Sequence, residues 1–342
     1  MQRSFNRILV LAISLGLVLM FSGSALAQYT VTLLDSNVSG HGQLDPLLVN
    51  GWGLAYLPTG AFWVSDAGSG WSTLYDGNGN KQSLQVVVPS ANGLSGGSPT
   101  GIVANSSQDF KVKDWASEFI FATLDGTISG WAPLSNPTQA IIAVNNNSTG
   151  ASYTGLAITN HPTGNMIYAA DTANGKVDMY DGTFTLVKSF TDTSLPKNAT
   201  PFGIQDINGI VLVAYCDANG GPGGVIDEFT EDGVFMKHFA YGSPLNQPWG
   251  MAVAPKNWGP LSNTLLVSNN LNNVGDINGF DLKTGKFVGT LNGANGQPIH
   301  IDQIWGIEFG GGSSLNGATN QLFWAAGPLN NVDGAFGYIA PQ

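Results

Sequence analysis

The sequence has 342 residues, of which 10% are charged and 46 are glycine, and its formal net charge is −11 at pH 7. Disordered chains and helical bundles are richer in charged residues, a nucleic-acid-binding protein needs a basic surface, and a single cysteine allows no internal disulfide, so these classes are excluded. The composition that remains is typical of a large, glycine-rich, all-β protein.

The first 27 residues have the pattern of a secretory signal peptide. Arg3 and Arg7 give a positive start, residues 8–21 form an apolar run, and Ala25-Leu26-Ala27 is a cleavage motif of small residues. The apolar run is shorter than the roughly 20 residues that span a bilayer. We therefore predict cleavage after Ala27 and a single domain over residues 28–342. The location is predicted to be secreted or periplasmic, without stable membrane insertion.

A short motif recurs six times in the mature chain. It consists of an aromatic residue or threonine, then glycine, then an apolar residue in every copy. The six glycines are Gly53, Gly101, Gly155, Gly203, Gly250 and Gly306. Two further strand-like runs follow each motif, and turn dipeptides such as Asp125-Gly126 separate them. Repeats of about 50 residues with several short strands are typical of β-propellers, so we predict an all-β, six-bladed β-propeller.

The repeated glycine predicts the innermost strand of each blade, because a residue without a side chain lets neighbouring backbones approach near the axis. A fourth apolar run, such as residues 84–88, follows in repeats one, three, four and five, whereas the sixth repeat ends after its third run. We therefore predict that Tyr29–Leu34 supplies the outer strand of the sixth blade by pairing with the strand over Ala335–Ile339. A blade built from both chain ends closes the ring and covers a sheet edge.

Few residues lie in a recognisable catalytic or metal-binding motif. The histidines are not spaced as zinc ligands; they are His41, His161, His238 and His300. His238 lies in a predicted outer strand, and we interpret it as a surface residue. Cys216 ends a predicted strand, and we interpret it as a small buried apolar residue.

Aromatic residues precede the repeated glycine in four of the six repeats. They are Trp52, Phe202, Trp249 and Trp305. Two interpretations are open for these rings. The sequence favours packing between neighbouring blades, and the alternative is an aromatic platform for a flat ligand such as a sugar ring.

The residues before each first strand and after each second strand lie on one face of a propeller, here called the upper face. Polar side chains collect there, and loops on a rigid scaffold are frequent binding sites. The candidate ligand-binding residues are Asn50, Asp66, Asp125, Asp171, Asp217 and Asn269. The alternative interpretation is that strand ends near water are polar without any ligand. No cofactor is evident, but oxygen donors without histidine or cysteine suit a hard divalent cation such as calcium.

Segments spread over the mature chain match a known group of proteins. They are Asp45-Pro46 and residues 50–55, 62–76, 119–131 and 244–252. These segments resemble secreted bacterial six-repeat propellers of unassigned function, some of which end in a PEP-CTERM sorting tail. The resemblance implies a propeller and brings no reaction with it, and the lack of a sorting tail here predicts release rather than anchoring. The architecture is also similar, by fold analogy alone, to NHL-type and gluconolactonase propellers.

The preferred function is an exported binding or interaction module that docks a small molecule, glycan or protein on its upper face. The alternative is a metal-dependent lactonase or hydrolase of the gluconolactonase kind, in which an axial cation polarises a carbonyl or activates water. The resemblance to that group implies a glutamate near the axis, but Glu308 lies too far along the last inner strand to match well. A structural protein of the cell envelope is the third hypothesis.

Overall fold

The computed structural model describes residues 29–159, 164–270 and 275–342, which form β-strands with almost no helix. The predicted signal peptide and His161 lie outside the described residues. The short helices are one turn of α-helix, α1 (Pro328–Asn331), and 3-10 turns over Asn147–Thr149 and Gly259–Leu261. No helix in the described ranges has both the length and the apolar character needed to cross a membrane.

The strands form one four- or five-stranded sheet per sequence repeat, and the first half of the ring has three such blades. The strands before the first blade are β1 (Tyr29–Ser36) and β2 (Gln43–Leu44). The first blade has β3 (Gly51–Ala55), β4 (Phe62–Asp66), β5 (Trp71–Tyr75) and β6 (Val86–Val87). The second blade has β7 (Pro99–Ala104), the hairpin strands β8 (Lys111–Val112) and β9 (Trp115–Ala116), then β10 (Phe119–Thr123), β11 (Thr127–Trp131) and β12 (Ile141–Asn145). The third blade has β13 (Tyr153–Thr159), β14 (Met166–Asp171), β15 (Lys176–Asp181) and β16 (Leu186–Phe190).

The second half of the ring has the other three blades. The fourth has β17 (Ala199–Ile207), β18 (Ile210–Asp217), β19 (Val225–Thr230) and β20 (Phe235–Tyr241). The fifth has β21 (Pro248–Val253), β22 (Thr264–Asn269), β23 (Asp276–Asp281) and β24 (Phe287–Thr290). The sixth has β25 (Ile304–Phe309), β26 (Leu322–Ala326) and β27 (Ala335–Pro341), together with β1 and β2.

The six sheets are arranged in a ring in chain order, which confirms the predicted six-bladed, all-β propeller. The innermost strand of each blade contacts that of the next blade, and β25 of the last blade contacts β3 of the first. The second blade has a fourth strand, β12, that the sequence interpretation missed. Its residues are partly buried or exposed, it ends in Asn145, and two more asparagines follow, so this segment lacks the pattern of a buried strand.

The sixth blade contains both ends of the described chain. β1 pairs antiparallel with β27, from Tyr29 opposite Pro341 to Ser36 opposite Ala335, with an irregularity between Leu33 and Asp35. The Tyr29 hydroxyl also donates a hydrogen bond to the Trp258 carbonyl in the fifth blade. β2 continues the sheet as a fifth strand, parallel to β1.

The repeated glycines lie where neighbouring inner strands approach most closely. At each of the six, a Cβ atom would come within 3.0 Å of a backbone atom in the following blade. For Gly203 that atom is the carbonyl oxygen of Trp249, and for Gly306 it is the carbonyl oxygen of Trp52. This confirms the predicted role of the glycines. It also shows that equivalent residues of the six inner strands lie at matching heights along the axis.

The hydrophobic core is divided into six clusters, one at each junction between adjacent blades. Between the first two blades, for example, Trp63 stacks on Phe119 with ring centroids 4.1 Å apart. A seventh, smaller cluster is aromatic and lies on the axis. The blades therefore hold one another in place, and the inner strands form a rigid wall around the axis.

Candidate functional site

The upper end of the axis is filled by the four aromatic side chains that precede the repeated glycines. Trp52 and Trp305, from adjacent blades, are buried and stacked with centroids 3.8 Å apart. Trp249 lies edge-on to both of these rings, and Phe202 lies edge-on to Trp305. We call these four residues the aromatic plug. The rings pack between adjacent blades, as favoured from the sequence, but they also pack across the axis.

Asp66 and Asp171 lie at equivalent upper strand ends, and both are buried within their own blades. One Asp66 carboxylate oxygen accepts hydrogen bonds from the Thr73 amide (3.1 Å) and hydroxyl (2.8 Å), and burial raises the pKa of Asp66 well above its usual range. Asp171 accepts hydrogen bonds from the Ser152 amide (3.0 Å) and from both the amide and the side chain of Asn174 (3.2 and 2.7 Å). These contacts hold the loops of the first and third blades.

The two predicted asparagines are also buried at upper strand ends. Asn50 has a left-handed backbone with φ of 51°, and its side-chain oxygen is buried without a hydrogen-bond partner among the described residues. Asn269 accepts a hydrogen bond from the Asn246 amide (2.9 Å) and donates to the Pro244 carbonyl (2.8 Å) and the Asp276 carboxylate (2.8 Å). Asn269 therefore fixes the loop that enters the fifth blade.

Of the remaining two predicted residues, Asp125 lies in the turn after β10 and Asp217 is the last residue of β18. Asp125 accepts a hydrogen bond from the Ala91 amide. Asp217 accepts hydrogen bonds from the Asn219 amide (2.8 Å) and the Asn198 side chain (3.0 Å), and these bonds lower its pKa. Asp217 also lines a surface pocket of about 200 Å³ next to Cys216, which is buried as predicted. The described structure gives no hydrogen bond that joins any two of the six predicted residues.

The described inner strands enclose a small cavity on the axis below the aromatic plug. It has a volume of about 30 Å³, is bordered above by Trp249, and takes lining residues from all six inner strands. Gln205 and Glu308 are among the residues that line it, and Glu308 is the one charged residue among the described residues that do so. None of the six predicted residues lines this cavity.

A larger pocket lies at the lower end of the axis, opposite the aromatic plug. Its volume is about 320 Å³, and Gln205, Met251 and Glu308 line both this pocket and the axial cavity. Asp206 adds a polar group to the wall of this pocket, and Phe309 adds an apolar one. We call this the lower pocket. Its lining comes from the fourth, fifth and sixth blades, so three neighbouring blades position the side chains.

Glu308 is two residues beyond the repeated glycine in its inner strand. The matched residues in the six blades are Ala55, Val103, Ala157, Gln205, Ala252 and Glu308. At one height of the channel wall, four blades thus have a small or apolar residue, one has an amide and one has a carboxylate. The sequence interpretation rejected Glu308, but alignment of the six motifs on their glycines would have found it as the exception to this pattern.

The Glu308 side chain is partly exposed, and its carboxylate forms no hydrogen bond within the part of the chain that the structure describes. Burial raises its pKa from 4.5 to about 7. Burial and, as the smaller cause, the negative charge of Glu308 raise the pKa of Tyr56 to about 12. The Tyr56 hydroxyl donates its hydrogen bond, 2.9 Å long, to the Phe309 carbonyl and not to Glu308. A carboxylate that lies beside a pocket, has a raised pKa and forms no hydrogen bond is a candidate functional group.

Asp206 adds a second carboxyl group to the lower pocket. One of its oxygens is buried without a partner among the described residues, and burial raises the pKa of Asp206. In the described ranges, a group of three side chains that could together hold a metal ion is found at one place only, in the fourth blade, away from the axis.

No protein-family model matches this chain. Three relatives are uncharacterized proteins of Acanthamoeba polyphaga mimivirus. R648 is 28% identical over 92% of this chain and 81% of its own length. R640 is 34% identical, but the match covers 56% of this chain and 38% of R640, so the chain corresponds to less than half of that protein.

Solved structures are similar to this chain in fold. A streptogramin B lyase has a TM-score of 0.55 and 12% identity, covering 92% of this chain and 98% of that chain. A catalytically inactive virginiamycin B lyase from Staphylococcus aureus, solved with quinupristin, has a TM-score of 0.54 and 12% identity over 92% and 99% of the two chains. At this identity the likeness shows the fold alone. The propeller fold serves binding and interaction modules and enzymes, so function has to be argued from the site.

Proposed function

We propose that this chain is a ligand-binding propeller whose site is the lower pocket. The observation that carries the proposal is the Glu308 carboxylate, which forms no hydrogen bond among the described residues and belongs to a residue that lines both the axial cavity and the pocket. A partly buried carboxylate without a partner lowers the stability of a protein. The matched position in four other blades has a small or apolar side chain. A ligand that supplies the missing partner accounts for the glutamate.

The chemistry of the pocket defines the class of ligand. Glu308 favours a cationic group with hydrogen-bond donors, and the nearby Asp206 carboxyl group adds to the negative potential. The Gln205 amide offers a donor and an acceptor, while Met251 and Phe309 provide apolar surface. We therefore propose a small organic ligand that carries an amine or guanidine group and a short apolar part.

Binding of a matched pair of probes tests this proposal. Methylguanidinium and N-methylurea have similar shapes but differ in charge, and both are titrated into the protein at pH 8 while NMR shifts are followed. We expect methylguanidinium to bind at least about tenfold more tightly than N-methylurea, since hydrogen bonds to charged groups contribute about 1.5–3 kcal/mol. Glu308→Gln should remove this preference.

The matched control is Asp114→Asn, which changes the net charge equally at an exposed residue in the β8–β9 turn. It should leave the preference for methylguanidinium unchanged. Equal binding of the two probes by the wild-type protein, or a preference that survives Glu308→Gln, would contradict the proposed site.

The pH dependence of stability gives a second prediction for Glu308. Its pKa is about 7 in the folded protein and 4.5 in the absence of burial. The folded protein therefore holds the proton over this interval, and stability from this group is lost as the pH rises from 4.5 to above 7. Glu308→Gln should match the wild type near pH 4.5 and exceed its free energy of unfolding by up to about 3 kcal/mol at pH 8.

Denaturant unfolding of the two proteins between pH 4 and 9 measures this difference directly, because other titrating groups contribute equally to both. A Glu308→Gln variant that is less stable than the wild type at pH 8 would show that the carboxylate is a structural group. Removal of a destabilising side chain at the cost of ligand binding is the expected trade-off at a functional site.

We also propose that the chain is exported, on the basis of the signal-peptide pattern in residues 1–27. Expression of the full chain in a bacterium that secretes proteins should give a processed product that begins at Gln28. N-terminal sequencing of the exported protein checks this expectation. Retention of Met1 would refute it.

A further inference from the structure

The second candidate site lies in the outer half of the fourth blade, whereas the lower pocket is lined by the inner strand of that blade. Asp227 on β19 is opposite His238 on β20, and an irregularity in the register next to Asp227 brings these two residues into one pair. β-bulges of this kind redirect side chains. Asp192 reaches the same place from the segment that joins β16 to β17.

The three side chains converge closely. His238 Nδ1 is 2.7 Å from Asp227 Oδ1 and 3.6 Å from Asp192 Oδ2. One potential ligand atom from each residue lies within 4.8 Å of the other two. Asp192 is held in place by hydrogen bonds from the Ser194 amide (2.7 Å) and hydroxyl (2.9 Å). The Ser194 hydrogen bonds thus fix the orientation of the Asp192 carboxylate in the cluster.

In the described part of the chain, the carboxylates of the cluster face His238, which is positive only when its imidazole is protonated. Asp227 is fully buried, and its Oδ2 atom has no hydrogen-bond partner among the described residues. In the described part of the chain neither carboxylate forms an ion pair with a lysine, and the nearby Lys237 is paired with Glu228 at 3.2 Å. Burial raises the pKa of Asp227 to about 6, which reflects the cost of ionising it there.

We propose that Asp192, Asp227 and His238 form a binding site for a divalent transition-metal ion of the zinc type. Two carboxylate oxygens and one imidazole nitrogen match the ligands of such ions, whereas calcium prefers oxygen ligands throughout. The Nδ1 atom that faces Asp227 is the ligating nitrogen, and it gives up its proton when the metal binds. The exposed side of His238 leaves room for water as a further ligand. This site is independent of the proposed function of the lower pocket.

Zinc loading of the whole protein tests the proposal. Protein is incubated with zinc chloride at pH 7.5, desalted and assayed for metal by mass spectrometry, and the affinity is measured by calorimetry. We expect one zinc ion per chain, at least about tenfold weaker binding in His238→Ala and Asp227→Asn, and much weaker binding of calcium. His41→Ala, which removes an exposed histidine outside the cluster, should bind zinc like the wild type.

NMR of the four imidazole groups supplies a second readout that does not depend on the folding of a variant. Zinc should shift the ring resonances of His238 and leave those of His41 and His300 unchanged. Absence of zinc after loading, a zinc ion that persists in His238→Ala, or zinc that shifts other histidines instead would overturn the proposal. If no zinc is bound after loading, the cluster is a hydrogen-bonded network that shares a proton.

Discussion

Deletion of residues 28–36 is expected to give insoluble or strongly destabilised protein. This change removes β1, which pairs with β27 along its whole length and brings Tyr29 into the cluster between the fifth and sixth blades. It exposes the edge of β27 and the apolar face around Trp258, and unpaired edges favour aggregation. The loss is comparable to the total stability of a typical domain, about 5–15 kcal/mol.

Thermal unfolding and solubility of the truncated protein measure this effect, with a chain that begins at Gln28 as the reference. A peptide corresponding to residues 28–36, added in excess, should partly restore stability, because it can occupy the vacant edge. A truncated protein that is soluble and melts at the same temperature as the reference would contradict the assigned role of β1.

The second large effect is expected for Gly203→Ala. A Cβ atom at this position overlaps the carbonyl oxygen of Trp249 in the next inner strand, and both groups belong to the backbone and cannot rotate away. Overpacking of this kind costs about 1–3 kcal/mol or more, and we expect about 3 kcal/mol here since two blades have to separate. Chemical denaturation of the variant and the wild type gives the value.

Gly289→Ala is the matched control, because this glycine lies in the outer strand β24 and the nearest atom to its added Cβ is Leu261 Cδ2 at 3.6 Å. That substitution should be neutral or stabilising by up to about 1 kcal/mol. Equal effects of the two substitutions would refute the view that the repeated glycines are required by close approach of the inner strands.

The architecture could be predicted because it is repeated in local patterns. Each blade has its own glycine motif and its own strand-like runs, so six weak signals support one another. The fourth strand of the second blade is an instructive exception. Residues 141–145 are half exposed, and only their pairing with β11 identifies them as a strand.

The site was harder to predict because a sequence indicates where a strand ends but not where a carboxylate side chain at that end points. Asp66 and Asp171 have the polar, turn-adjacent pattern of binding residues, yet their oxygens accept hydrogen bonds from Thr73 and Asn174 in their own blades. Glu308 lies within a strand, where a charged residue is unexpected, and its significance emerges from the five matched residues of the other blades.

His238 illustrates a different limit of the sequence. It was interpreted as a surface residue, and its side chain is indeed partly exposed. Its two carboxylate neighbours are 11 and 46 positions away in the chain, and they meet it only through strand register and an irregular segment. Neither of these features leaves a local pattern in the sequence.

A titration of the glutamate carboxyl groups by ¹³C NMR tests the central claim most directly. The chain has four glutamates, Glu118, Glu228, Glu231 and Glu308, so labelling gives few resonances, and Glu308→Gln assigns the relevant one. We expect the Glu308 resonance to titrate near pH 7 and to shift at pH 8 when methylguanidinium is added. A Glu308 carboxyl group that titrates below pH 5 and ignores methylguanidinium would contradict the account.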